Sequence, residues 1–393
     1  MNEKIKLLKS TPDIVIDSNH ENESEEGKRF KQLLDNINQY KDYEYTRSAI
    51  HNVTKFIDQF YFRSKFVGLE KALPERVHPD RPLIFASNHS GMTFPWDGII
   101  MAGKYFLKTG EDFKQSLRPI VAPMLSQSAY MEPFLIEKFW KRLGGVDATL
   151  ENFEALMHNS DSNVMIYPEG VPGIAKGFDK RYIMQNVSSS FIRMALKFKT
   201  DIIPIATVNG EYLNPYSYKN DDLNKLVNKI GMPFLPLGPL SSLAVLYPWA
   251  FYFALPAKLT YVFGEPIKVY EMIDVPFHKV KKKDINKIRE IVRDRMQRLL
   301  SQALEEYGSD PYQWEELGEL WFENKDKLFY ILPSGWPILF SEHERLFKEG
   351  GRVKEFDYSN AGFLSSLGSN LSQSPFLLPV AGWPILFKTK GLI

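Results

Sequence analysis

A histidine and an aspartate in a short polar turn offer the clearest chemistry in this sequence. His89 lies in the stretch SNHSGMTFPWDGII, directly after a short apolar run, and Asp97 is the next acid along the chain. A neutral imidazole accepts a proton near physiological pH, and a carboxylate on its other ring nitrogen would fix its tautomer. The pair is therefore a candidate for general base catalysis, and the alternative is a structural or solvated loop histidine.

The sequence supplies no obvious protein nucleophile for such a base. It contains no cysteine, which excludes thiol nucleophiles, disulfides and cysteine metal ligands. It also lacks a Gly-x-Ser-x-Gly motif, which disfavours a serine hydrolase. A base without a protein nucleophile favours a reaction in which the substrate supplies the nucleophile, for instance through a hydroxyl group.

A second candidate region is the glycine-rich stretch YPEGVPGIAKGFDKRY at residues 167–182. The backbone N–H groups of such a loop, together with Lys176 and Arg181, can hold a phosphate. The stretch is not a P-loop, because it has no Gly-Lys-Ser or Gly-Lys-Thr. Taken alone, the stretch is interpreted as a surface turn.

Apolar runs and helical patterns alternate through the middle of the chain, which predicts an α/β fold. The predicted strands are residues 82–88, 118–123, 163–170, 201–210 and 258–267. The predicted helices are residues 45–69, 97–108, 133–145, 149–158 with Thr149 as cap, 188–200 and 283–307. His89 follows the first of these strands, and open α/β sheets bind ligands at the carboxyl ends of their strands.

Composition and charge limit the function classes and the domain organisation that fit this chain. The 393 residues include 49 basic and 48 acidic side chains, so nothing global points to nucleic acid. The amino terminus has no apolar signal core, so we expect a cytoplasmic protein. We expect three parts: a polar, loosely ordered segment at 1–45, an α/β domain at 46–310, and an irregular, aromatic-rich C-terminal extension at 311–393.

Three segments raise the question of membrane contact. Residues 230–257 carry no charge and are long enough to span a bilayer, but five prolines break them. They are either a buried core segment or a surface that enters a bilayer interface. The segments SGWPILF and AGWPILF, at 334–340 and 381–387, are interpreted as extended anchors. They either pack on the main domain or reach a membrane or partner through their tryptophans. The lysines at 279–283 either are solvent-exposed at the start of a helix or face anionic headgroups.

Five motifs together resemble the glycerolipid (lysophospholipid) acyltransferase family of the 1-acylglycerol-3-phosphate type. In chain order they are NHSG with PWDG, RLGGVDATLENFEAL, VMIYPEGVPGIAKGFDKRY, DIIPIATVNGE and FGEPI. The resemblance implies a glycerol-3-phosphate acyltransferase-like fold, in which helices flank a mixed central sheet. It also implies transfer of a fatty acyl group from acyl-CoA or acyl carrier protein to the hydroxyl of a membrane glycerolipid, by a peripheral membrane enzyme of phospholipid biosynthesis.

The resemblance also assigns roles to single residues. His89 would be the general base and Asp97 the acid that orients it. Substrate binding would fall to Asn88, Ser90, Glu169, Gly170, Lys176 and Arg181. No metal and no cofactor is expected besides the acyl donor, and no oligomeric state is implied.

The sequence departs from the family pattern in three places. Seven residues separate His89 from Asp97 where the family usually has four, and the shorter spacing would place the acid at Phe94. The usual Thr-Arg after Glu-Gly is replaced by Val-Pro, and the arginine of the second motif is absent. Either Lys176 and Arg181 replace these cations or the acceptor is an amino-lipid, a sterol or a neutral glyceride. A non-catalytic lipid-binding protein on the same scaffold is the remaining alternative.

Overall fold

A seven-stranded sheet forms the centre of the computed structural model, which describes residues 25–72, 80–92, 94–127, 131–229 and 234–389. The strand order is β1-β7-β6-β2-β5-β3-β4, and all neighbours are parallel except β6 and β7. The strands are β1 (Lys65–Val67), β2 (Ile84–Ser87), β3 (Leu117–Val121), β4 (Val146–Asp147), β5 (Asn163–Ile166), β6 (Ile202–Val208) and β7 (Thr260–Phe263).

Helices cover the sheet on both sides. Before and within the sheet region they are α1 (Glu25–Asn38), α2 (Tyr43–Ala49), α3 (Lys55–Ile57), α4 (Leu69–Ala72), α5 (Trp96–Lys108), α6 (Pro123–Gln127), α7 (Phe139–Arg142), α8 (Leu150–Met157), α9 (Val171–Ile174), α10 (Ser190–Phe198), α11 (Asp221–Asn228) and α12 (Pro239–Leu246). After the sheet they are α13 (Lys282–Tyr307), α14 (Trp314–Glu323), α15 (Leu328–Ile331), α16 (Trp336–Gly350), α17 (Asn360–Ser369) and α18 (Gly382–Thr389). The predicted mixed α/β sheet flanked by helices is confirmed.

Two differences from the predicted elements have clear backbone causes. The helix predicted over 133–145 is instead a 3-10 turn at Pro133–Leu135 followed by α7. Phe134, Leu135 and Lys138 all have positive φ, which a continuous right-handed helix cannot accommodate. The helix predicted over 45–69 ends at Phe62 and consists of α2 and α3, each followed by a π-helical segment. Arg63, with a φ of 45°, ends it before the strand β1.

The described part of the amino-terminal segment, from residue 25 onward, is more structured than its composition predicts. Residues 1–24 lie outside the described residues, but α1 lies within 1–45 and packs on α8. Phe30 stacks on His158 with ring centroids 4.5 Å apart, and Arg29 pairs with Glu151. Tertiary packing against α8 therefore orders a helix whose polar sequence suggested a loose segment.

Each face of the sheet has its own hydrophobic core. On one face, α13 buries an apolar stripe that includes Ile285, Ile288 and Val292 against β6 and α10. On the other face, α2, α5 and the C-terminal helices form a core rich in aromatic side chains. Thr149 caps α8 as predicted, since its hydroxyl accepts the N–H of Asn152 at 3.1 Å.

The C-terminal extension packs on the aromatic face of the sheet. Trp336 is fully buried, and its ring lies 4.8 Å from that of Trp96. The interpretation of the two GWPILF segments as extended anchors is wrong, because α16 and α18 begin within them. Proline is accepted in the first turn of a helix, where its missing N–H has no partner to lose. Trp336 is unavailable for a membrane contact, whereas Trp383 stays partly exposed.

The uncharged segment at 230–257 is divided between core and surface, apart from 230–233, which lie outside the described residues. Trp249 and Tyr252 are buried in the aromatic core. In α12, by contrast, Leu243, Val245 and Leu246 are exposed. Among the described residues, no helix combines the length and the apolar character needed to cross a membrane.

Candidate active site

His89 and Asp97 meet at the carboxyl end of β2. The Nδ1 atom of His89 lies 3.0 Å from Oδ2 of Asp97. The Asp97 carboxylate is fully buried, whereas 12% of the His89 side chain is exposed. The contact leaves Nε2 as the imidazole nitrogen available to a substrate, and no side-chain partner for it exists among the described residues. The geometry is that of an oriented imidazole base.

Most of the described residues between His89 and Asp97 are buried, which is how the longer spacing still brings the acid to the imidazole. Phe94, the position that a shorter spacing would give to the acid, is buried against Trp96, Trp140 and Tyr252 at centroid distances of 5.1 to 5.5 Å. Asp97 therefore arrives in the first turn of α5, where the helix dipole favours a negative charge.

Three contacts fix the Asp97 carboxylate and its backbone. Its Oδ1 accepts the N–H of Gly98 at 2.9 Å, so each carboxylate oxygen has one partner. The hydroxyl of Tyr261 donates to the Asp97 carbonyl at 2.7 Å across the sheet. The indole N–H of Trp96 donates to the Tyr252 carbonyl at 2.7 Å and anchors the start of α5. The orientation of the acid is thus set by the fold.

Tyr167 packs against one face of the imidazole. Its ring stacks on His89 with centroids 4.1 Å apart and an interplanar angle of 28°. Burial raises the pKa of Tyr167 well above its usual value, so the phenol is neutral. Gly98 makes room for this ring, since a Cβ there would lie 3.2 Å from the phenolic oxygen. A small residue is therefore needed directly after Asp97.

Glu169 holds the backbone that carries His89. Its Oε1 accepts the His89 N–H at 3.1 Å, and its Oε2 accepts the N–H of Gln185. Burial raises the pKa of Glu169, while Lys176 and the two backbone N–H groups oppose that rise. The contacts make Glu169 a residue that positions His89, and its side chain also lines the adjoining cavity.

Asn88 and Ser90, which flank the histidine, point into the protein rather than toward the cavity. The side-chain amide of Asn88 donates to the Thr207 carbonyl at 3.0 Å and accepts the Thr207 N–H at 2.8 Å. It thereby continues the pairing of β2 with β6 beyond the end of the strand. Ser90 is buried against Gly210, and its hydroxyl has no hydrogen-bond partner among the described residues.

Neither of the two cations predicted to bind phosphate faces the cavity beside His89. Lys176 is buried and pairs with Glu211, with 3.2 Å between Nζ and Oε1. Arg181 is exposed and covers the ring of Phe178. Neither side chain lines the cavity beside His89, whereas Gly170 does, with a φ of 60°. The structure thus brings together His89, Asp97, Glu169 and Gly170, whereas neither cation lines the cavity.

A cavity of about 690 Å³ opens beside His89. Apolar side chains and glycines form most of its wall, contributed mainly by α5, β3 and the segment after α2. Its charged side chains are Glu169 near the histidine and Lys41 and Arg118 elsewhere on the wall. The volume lies within the range of small-molecule sites, and the lining suits a long apolar group.

Sequence reasoning missed Tyr167, Gln185 and Tyr261 as supports of the His89–Asp97 pair. Tyr167 lies directly before the Pro-Glu-Gly turn, at the end of a predicted strand. Its position at a strand end, like that of His89, was a signal in the sequence that the two side chains could meet. Gln185 and Tyr261 carried none, because only the fold brings them to the site. Within the described residues, no cluster of three or more His, Asp or Glu could hold a metal ion.

Comparison with known proteins gives distant likenesses. No family model matches this sequence. The uncharacterized protein Rv0502 of Mycobacterium tuberculosis is 26% identical over 249 residues, which cover 62% of this chain and 64% of that protein. The uncharacterized protein ML2427 of Mycobacterium leprae is 26% identical over 266 residues, 66% of each chain. The chain thus spans about two thirds of the length of these relatives.

Solved structures include a similar protein. It is the 1-acyl-sn-glycerophosphate (LPA) acyltransferase PlsC of Thermotoga maritima, with a TM-score of 0.34 and 15% sequence identity. The alignment covers 67% of this chain and 86% of PlsC. Any assignment of function therefore depends on the site itself.

Proposed function

We propose that this protein is an acyltransferase that moves a fatty acyl group from a thioester donor to a hydroxyl acceptor. The observation that carries the proposal is the 3.0 Å contact between His89 and a fully buried Asp97 at the wall of a large apolar cavity. An oriented base beside an apolar cavity meets both needs of this reaction, a proton acceptor and space for an alkyl chain.

The chemistry needs no protein nucleophile. Nε2 of His89 takes the proton of the acceptor hydroxyl as its oxygen attacks the thioester carbonyl. The tetrahedral oxyanion then collapses, the C–S bond breaks, and the thiolate leaves with a proton from the imidazolium. Asp97 stabilises that imidazolium through Nδ1. Backbone N–H groups of the turn at Glu169 are our candidates for stabilising the oxyanion.

The placement of the cations favours an acceptor without a phosphate beside its reacting hydroxyl. Lys176 is neutralised by Glu211, and Arg181 lies outside the cavity. A glycerol phosphate would place its charge within a few bonds of the hydroxyl and would need a cation near His89. An amino-lipid, a sterol or a neutral glyceride places no such charge there.

Peripheral attachment to a bilayer is part of the proposal. Exposed apolar side chains of α12, with Val245 67% and Leu246 46% exposed, adjoin Val380, which is 56% exposed. Two hydrogen bonds join these parts, from Trp383 Nε1 to the Val245 carbonyl at 2.8 Å and from the Val380 N–H to the Leu246 carbonyl at 2.7 Å. An uncharged, exposed apolar surface of this kind suits a lipid interface.

The test is acyl transfer by purified variants with an acyl-CoA mixture, an acyl carrier protein donor and candidate acceptors. Thiol release and lipid products are both measured. Both His89→Ala and Asp97→Asn should lower kcat by about 10² to 10⁴, since base and orienting acid each contribute on that order. Asp201→Asn is the matched control, because Asp201 is a buried carboxylate at the start of β6 that bonds to Tyr270.

Three results would count against the proposal or its test. Undiminished transfer by His89→Ala would refute the assigned chemistry. Lipid binding without thiol release from any donor would instead identify a non-catalytic lipid-binding protein on this scaffold. Loss of activity in Asp201→Asn as severe as in Asp97→Asn would mean that any buried charge change disables the fold.

A further inference from the structure

Two basic side chains lie together in the cavity wall, well away from His89. Arg118, in β3, is 2% exposed, and Lys41 precedes α2. Both line the cavity. Neither forms an ion pair within 4.0 Å in the described part of the chain. Buried charges are normally paired, so this arrangement requires an explanation.

The two side chains converge on Gly144. A Cβ built on this glycine would lie 3.5 Å from Cε of Lys41 and 3.8 Å from Nε of Arg118, so both side chains approach one point. Nε of Arg118 donates to the Gly144 carbonyl at 2.8 Å, and Nη2 donates to the Ile37 carbonyl at 3.5 Å. Nη1 is buried with no hydrogen-bond partner among the described residues. Nη1 of the guanidinium, which carries two N–H donors, is thus left without an acceptor.

Electrostatics around the pair leave it short of negative charge. Burial lowers the pKa of Lys41 to about 8, and the charge of Arg118 adds to the effect. Asp161, an exposed carboxylate, attracts both cations but forms no ion pair with either. In the part of the chain that the structure describes, the Nζ atom of Lys41 donates only to the hydroxyl of Tyr43, at 3.2 Å. An anion between the two cations would supply the missing negative charge and accept a hydrogen bond from Nη1 of Arg118.

The site is separate from the His89 pair. In the sheet register both Arg118 and Ile84 pair with Val164, so they are level, and His89 comes five residues after Ile84. At about 3.3 Å per residue, the separation along the strands is on the order of 15 Å. Apolar wall from Ile50, Phe106 and Leu117 accompanies the cations in the same cavity. A ligand bound to the cations would therefore have an alkyl body as well as a charged end.

We propose that Lys41 and Arg118 form an anion site that binds the carboxylate or phosphate group of an amphiphilic ligand whose alkyl chain lies in the cavity. The proposal goes beyond the acyl transfer described above and does not depend on it, since binding is measured directly. A carboxylate and a phosphate monoester share the chemistry that this pair recognises, two or more anionic oxygens.

The test is calorimetric titration of the whole protein with three ligands that share one alkyl chain. Laurate carries a carboxylate, dodecyl phosphate carries a phosphate, and dodecanol is neutral. We expect at least one of the anions to bind about tenfold or more tightly than dodecanol, the range that a charge-assisted hydrogen bond supplies. The tighter of the two anions identifies the headgroup. Inorganic phosphate alone should bind weakly, because it lacks the chain.

Variants make the test specific. Lys41→Met should remove the preference for the anion, and Lys41→Arg should keep it. Arg118→Met should act like Lys41→Met, but it also loses the bond to Gly144, so circular dichroism must show that it folds. Lys225→Met is the control, since Lys225 is an exposed lysine away from the cavity. His89→Ala should keep the preference, which separates this site from the proposed catalytic pair.

Three results would overturn the proposal. Equal affinity for laurate, dodecyl phosphate and dodecanol would show that no anion site exists. A preference that survives in Lys41→Met would place the site elsewhere. Inorganic phosphate binding as tightly as dodecyl phosphate would show that the alkyl chain does not lie in the cavity.

Discussion

Replacing Lys41 with methionine should stabilise the ligand-free protein. Burial lowers the pKa of this lysine from 10.5 to about 8, so the folded state opposes its charge. That difference corresponds to about 3 kcal/mol of unfolding free energy lost near neutral pH. Methionine has a similar length, carries no charge and suits an apolar wall. We expect the variant to be more stable than the wild type by about 1 to 3 kcal/mol near pH 7.

The pH dependence follows from the same change in pKa. Between about pH 8 and the usual lysine value of 10.5, the unfolded chain holds a proton that the folded protein has released. Stability therefore rises with pH in this window, because the unfolded state binds more protons. From about pH 7 to about pH 9.5 the wild type should gain about 2 kcal/mol from this group.

Urea denaturation at both pH values measures the effect, since urea does not screen charge. The wild type, Lys41→Met and the exposed control Lys225→Met are compared, and the quantity of interest is the change in unfolding free energy between the two pH values. The control should follow the wild type. The reasoning is refuted if the unfolding free energy of Lys41→Met changes with pH as much as that of the wild type, or if the variant is less stable near neutral pH. Either result would show that other groups compensate the charge of Lys41.

Two further predictions concern the backbone around the catalytic pair. Glu169→Gln leaves one of the two backbone N–H groups without an acceptor, so urea denaturation should show a loss of unfolding free energy of about 1 to 3 kcal/mol. Burial raises the Glu169 pKa above 4.5, so the folded protein holds a proton that the unfolded chain has released. Wild-type stability should therefore fall as the pH rises from 4.5 to that raised value, and the Gln variant should lack this slope. Gly91→Ala should cost more than about 2 kcal/mol, since φ is +108° and the new Cβ would lie 2.6 Å from the Gly210 carbonyl oxygen. Gly110→Ala, at φ +73° with open space around it, should cost only about 1 kcal/mol, and an equal loss at both glycines would contradict the steric account.

Local patterns were sufficient for most of the sheet. Apolar runs ending in turn residues predicted β2, β3, β5, β6 and β7, because a strand buried on both faces is a short continuous apolar run. The cap at Thr149 and the start of α5 near Asp97 followed from helix-end chemistry. The choice of Asp97 as partner of His89 also came from the sequence, and the 3.0 Å contact agrees with it.

What the sequence could not reveal depends on contacts between distant residues. The antiparallel direction of β7, the burial of Trp336 and the pairing of Lys176 with Glu211 are decided by which surfaces meet in the fold. Lys41 and Arg118 belong to segments with no shared motif, and only β3 and the turn before α2 bring them together. Local spacing fixes which residues share a strand or a helix face, whereas tertiary packing decides which charges are neutralised and which still face a cavity.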